Sequence, residues 1–129
     1  MYVRDQYQAA ATNTAGPAQL VLMLYDGALT RVETAIELLE EDEPRDVQFA
    51  HECMSKAQAI INELNITLDH ERGGDIATNL AALYLWCTDQ LVEANVHKDA
   101  GPLDSVRTIL TDLRDAWEES CVKGPVAVA

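Results

Sequence analysis

Apolar residues recur along this chain at alternating steps of three and four, the spacing that puts them on one face of an α-helix. Four such stripes can be traced. The first holds Val21, Tyr25, Ala28, Val32, Ala35 and Leu39. The second holds Ala50, Cys53, Ala57, Ile60 with Ile61, Leu64 and Leu68. The third holds Ile76, Leu80, Leu83, Cys87, Leu91 and Ala94, and the fourth Leu103, Val106, Leu110, Leu113 and Trp117.

Breaks between the stripes fall at residues that stop or start helices. Pro17 suits a first helical turn, with Thr14 or Gly16 as cap, and opens a helix expected to run to about residue 41. Acidic residues and Pro44 close it. A second helix is expected from about residue 44 to about 70, where Gly73-Gly74 interrupts the chain and Asp75 is placed to cap a third. The third runs to about residue 98. Gly101-Pro102 breaks again, and the fourth runs from about 102 to 121 before Gly124-Pro125. Connections of a few residues force successive helices antiparallel. The expected fold is all-α: an up-down four-helix bundle over residues 17–121, with a loosely docked N-terminal segment over 1–16 and a disordered tail over 122–129.

Two helices carry more apolar surface than one buried face requires. On the first, Leu20, Leu24 and Leu38 form one shoulder and Leu22, Leu29 and Ile36 the other, an apolar arc on the order of 200°. On the third, Leu85, Val92 and Val96 stand roughly 140–180° from Cys87, with Trp86 to one side. A helix in a bundle touches two neighbours, so wide arcs are compatible with core packing. A contiguous exposed apolar patch marks an interaction site instead, and a groove between helices suits an amphipathic segment of a partner. Leu85, Trp86, Val92 and Val96, with Leu22, Leu29 and Ile36, are the candidate groove residues. Tyr2 and Tyr7 of the N-terminal segment are candidates to shield part of the groove.

Composition narrows the function. Alanine, leucine and glutamate favour helix. The formal net charge of −13 argues against nucleic acid, whose affinity comes largely from Lys and Arg, and against anionic membrane surfaces. The longest unbroken apolar run, Leu80 to Cys87, is too short to span a bilayer. Residues 1–10 have no apolar core of the signal-peptide kind. Cys53, Cys87 and Cys121 form no CxxC pair and read as free thiols of a reducing cytosol; their equal spacing is not matched by their neighbours.

Catalytic templates fail in turn. A di-iron bundle needs ExxH pairs, yet Gln48, Thr67 and Ala94 precede His51, His70 and His97 by three. There is no phosphate-binding glycine loop, and Ser55, Ser105 and Ser120 lack a GxSxG frame. Asp69, His70 and Glu71 read as a solvated helix end, and EEDEPRD, residues 40–46, as a solvated turn. No cofactor and no enzymatic activity are expected.

Four segments together resemble one family, the flagellin-specific export chaperones called FliS. TAGPAQLVLMLYDGAL, residues 14–29, is similar to the family's proline, leucine and MLYDG or MLYNG signature. KAQAIINELNITLD (56–69) resembles its second-helix motif, RGGDIATNLAALY (72–84) followed by LVEAN (91–95) its third, and TDLRDAW (111–117) its last. The resemblance implies a cytosolic, non-enzymatic four-helix bundle that binds the disordered C-terminal region of flagellin in apolar grooves. It implies that binding prevents premature polymerisation and assists delivery to the export gate of the flagellar type III secretion system. It also links the tyrosine matching Tyr7 to groove occlusion and gate contact. The free protein is expected to be a monomer or weak dimer. One departure stands out: members often carry Tyr-Asp-Tyr followed by basic residues, where this chain has Tyr84-Leu85-Trp86 and then Thr88-Asp89-Gln90. A homodimer formed through the same apolar patch is the alternative reading.

Overall fold

A computed structural model of the 129-residue chain describes residues 16–41 and 46–123. Four long helices account for most of them: α1 (Pro17–Leu39), α2 (Val47–Ile66), α3 (Asp75–His97) and α4 (Gly101–Trp117). A single helical turn, His70–Gly73, lies between α2 and α3, and a π-helical segment, Glu118–Lys123, continues α4. No strand occurs among the described residues. The segments at 1–15 and 124–129, which include Tyr2, Tyr7 and most of the expected tail, lie outside the described residues.

Each long helix packs on its two neighbours in a closed cycle: α1 on α2 and α4, α3 on α2 and α4. Tie points fix the directions. Trp117 Nε1 donates to the Ala18 carbonyl at 2.8 Å and Arg114 Nε to Asp26 Oδ1 at 2.6 Å, so the end of α4 lies beside the start of α1. Asn95 Nδ2 donates to His51 Nδ1 at 2.9 Å, placing the end of α3 beside the start of α2. The protein is an antiparallel four-helix bundle.

Local chemistry sets most boundaries. Gly16 precedes Pro17, which occupies the first turn of α1 where its missing N–H costs nothing. Asp46 caps α2 by accepting from the Phe49 N–H at 2.9 Å. Asp69 accepts from the N–H groups of Glu71 and Arg72 and so opens the one-turn helix. α2 therefore ends at Ile66, short of the expected residue 70, because a second, separately capped turn takes over. The expected cap of α3 differs as well. Gly74 is the N-cap, and Asp75 sits in the first turn, where its charge suits the helix dipole. Gly74 has φ +49°, and a Cβ added at Gly73 would lie 2.9 Å from the Ala77 Cβ. The glycine pair is thus required both for its backbone and for the close approach.

The core combines Tyr25, Val32, Ile36 and Leu39 of α1, Met54, Ile61 and Leu64 of α2, Tyr84, Cys87 and Leu91 of α3, and Leu103, Val106 and Leu110 of α4. Among the described residues no buried polar side chain lacks a partner. Two stripes depart from the sequence expectation. Met54, outside the expected α2 stripe, is wholly buried. Ile76, assigned to the α3 stripe, is 70% exposed, while Ala77 and Tyr84 are buried. Ile76 shares its helical meridian with the fully buried Ala94, eighteen residues or five turns later. Its exposure therefore reflects position, not direction: it stands in the first turn of α3, at the end of the bundle.

Candidate functional site

The two helices with surplus apolar surface meet different fates. On α1, Leu22, Leu29 and Ile36 are buried together with Leu24, Tyr25, Val32 and Leu39. The physical reason is where the neighbours sit: α2, α4 and the π-helical segment pack on α1 so that both shoulders of its arc are covered. α3 packs on α2, α4 and the one-turn helix, but these leave its back face open. Leu85 is 64% exposed, Trp86 39%, Val92 44% and Val96 70%. The structure thus brings together the four α3 candidates and does not bring Leu22, Leu29 and Ile36 to the same surface.

Leu85, Val92 and Val96 are spaced by seven and four residues and fall within about 40° of one meridian, forming a row roughly 16 Å long. Trp86 lies on the α4 side of this row. Its ring walls an open cleft of ≈ 400 Å³ between α3 and α4, completed by Asp104, Ser105, Thr108 and Ile109 of α4. No sequence signal pointed to these α4 residues, because a cleft is made by two helices and a stripe describes one. The combination is an apolar ridge beside a cavity large enough for a bulky side chain, the arrangement that receives an amphipathic helix through anchors at helical spacing.

The ridge is backed by the core. Beneath it, on the inner face of α3, Tyr84 Oη lies 2.6 Å from Tyr25 Oη. Both rings are buried, and burial raises the pKa of both phenols. Burial also pushes the Cys87 thiol up to about 11 and raises that of Cys53 against the opposing pull of Arg31. These thiols are free and neutral at ordinary pH, and the half-buried Cys121 is also free. Neutral, apolar-shielded thiols are poor nucleophiles. At the other end of α4, Arg114 contacts Asp26 of α1, Asp115 and Glu118. Those carboxylates, Asp26 foremost, raise its pKa and hold it protonated.

Among the described residues no group of three or more His, Cys, Asp or Glu side chains stands close enough to hold a metal ion. No described helix is long and apolar enough to cross a membrane.

The profile of the family described as "Flagellar protein FliS" matches residues 2–124. The flagellar secretion chaperone FliS of Bacillus subtilis is 40% identical over 114 residues, covering 88% of this chain and 82% of the relative. That of Salmonella typhimurium is 40% identical over 111 residues, covering 85% and 80%. The flagellar secretion chaperone FliSB of Pseudomonas aeruginosa is 34% identical over 122 residues, covering 92% and 94%. With a profile match spanning nearly its whole length and relatives of this identity aligned across most of both chains, this all-α bundle belongs to the FliS family of flagellar proteins.

Proposed function

We propose that the protein is a cytoplasmic secretion chaperone that holds the C-terminal region of flagellin by non-covalent capture. The observation that carries this is the open ridge of Leu85, Val92 and Val96 beside the Trp86 cleft, on a bundle whose remaining apolar stripes are mostly packed inside. The relatives' name, flagellar secretion chaperone, supplies the class of cargo. A role of this kind needs no catalytic group. A flagellin segment folding against the ridge would offset its ordering entropy by burying its own apolar face. While held, the same residues cannot take part in filament packing, so capture and polymerisation compete.

In this reading the α3 residues make first contact. Leu22, Leu29 and Ile36, buried in the free bundle, would join the contact only where the cargo displaces what packs over them. Tyr2 and Tyr7 are assigned to the N-terminal cap and to contact with an export-gate component, through which cargo is handed over.

Titration calorimetry with the C-terminal segment of flagellin from the same genome tests the proposal. One-to-one binding with a large negative heat-capacity change is expected. Absence of heat at several temperatures and high concentration overturns it, and sedimentation would then ask whether the ridge joins two copies of this chain.

A further inference from the structure

The α3 ridge is apolar, but its α4-facing edge is acidic. With Leu85 at 0°, Val92 falls at about −20°, Val96 at +20°, Asp89 at +40°, Glu93 at +80° and Trp86 at +100°. Asp89 therefore lies at the edge of the ridge, about 20° beyond Val96 on the α4 side, one turn beyond Leu85 and two before Val96. It is exposed in the free bundle. A helix laid along Leu85, Val92 and Val96, about 10 Å wide, would also lie against Asp89.

The neighbouring charges are already engaged. Glu93 faces His97 at 3.1 Å. Asp104, on the rim of the Trp86 cleft, receives Arg107 at 2.8 Å. The Lys98 amine donates to Asn95. Asp89 takes part in no ion pair or hydrogen bond of its side chain among the described residues. A wholly apolar partner would strip water from this carboxylate and give nothing back, and an uncompensated buried charge opposes binding.

We infer that the segment captured on α3 is an amphipathic helix carrying a Lys or Arg at the edge of its apolar stripe, placed to pair with Asp89. This rests on the capture reading and adds a selection rule to it: the ridge supplies affinity and Asp89 sets register and rejects segments that are neutral or acidic at that edge. The chain's excess of 22 acidic over 9 basic residues steers cationic segments toward the surface in the same sense.

The test uses the full chain, the flagellin C-terminal segment, and a version of that segment with every Lys and Arg changed to Gln. Wild type, Asp89→Asn and Leu85→Asp are compared at low and high salt, with circular dichroism confirming that each variant is folded. Asp89→Asn is expected to weaken binding of the natural segment by roughly tenfold and to flatten its salt dependence, while binding the neutralised segment as well as wild type does. If Asp89→Asn binds the natural segment unchanged, with the same salt dependence, while Leu85→Asp loses it, the charge pairing is wrong and the capture reading survives. If the natural segment fails to bind wild type at either salt concentration, both fall.

Discussion

The hydroxyls of Tyr25 and Tyr84 lie 2.6 Å apart, joining α1 to α3 across the diagonal of the bundle. Both rings are buried, and each hydroxyl finds its partner in the other. Removing one oxygen leaves the other unsatisfied in an apolar interior, which costs on the order of 1–3 kcal/mol. Removing both leaves two phenyl rings of nearly unchanged shape. Tyr25→Phe and Tyr84→Phe should each lower the urea midpoint, and the double variant should be destabilised by less than the sum of the two. Equilibrium unfolding of the four-member cycle measures this; additive losses would show that the hydroxyls do not depend on each other.

Alkaline pH should weaken the fold through Cys87. Its thiol titrates near 9.0 when unfolded and at about 11 in the bundle because burial disfavours the thiolate. Between those values the native state retains a proton that the unfolded state has lost, so stability falls as pH rises. The contribution is fully present below about pH 9 and is gone above about pH 11, a loss on the order of 3 kcal/mol. The raised phenols of Tyr25 and Tyr84 act in the same direction at higher pH. Urea unfolding from pH 8 to 10.5 should show the decline, and Cys87→Ala, although less stable throughout, should show a shallower one.

The cleft beside Trp86 can be filled without touching the core. Ser105 is exposed on α4 and lines the cleft opposite Trp86. Ser105→Trp should leave thermal stability within about 0.5 kcal/mol of wild type, as is usual for surface positions. It should weaken capture of the flagellin segment by tenfold or so if an anchor side chain enters there. Unchanged affinity would confine the contact to the Leu85–Val92–Val96 ridge.

The fold was largely legible in the sequence because its punctuation is local chemistry. Pro17, Gly73-Gly74 and Gly101-Pro102 act on the backbone at their own positions, and the helices begin or end beside them. What was not legible depends on neighbours. Leu22, Leu29 and Ile36 on α1 and Leu85, Val92 and Val96 on α3 give the same signal, a set of apolar residues at helical spacing outside the core stripe. Only the packing of α2, α4 and the π-helical segment over α1 separates them. Ile76 follows the same logic: it points in the direction of Ala94 but stands at an end of the bundle. The cleft residues Asp104, Ser105, Thr108 and Ile109 carried no mark, since three polar α4 residues and one isoleucine beside a tryptophan of another helix share no pattern along the chain. The cap of α3 passed from Asp75 to Gly74 because the single turn before it, opened by Asp69, leaves the chain in a positive-φ conformation that glycine adopts freely.

The measurement closest to the central claim is capture of the flagellin C-terminal segment by the double variant Leu85→Asp with Val92→Asp. Both side chains are exposed, so the variant should keep the helical circular dichroism and unfolding midpoint of the wild type. Its affinity for the segment should fall by about a hundredfold or more, since two charges would be buried against an apolar face. A folded double variant that binds like wild type would move the cargo off this surface, and a double variant that unfolds would show that the ridge belongs to the core and that the site assignment is wrong.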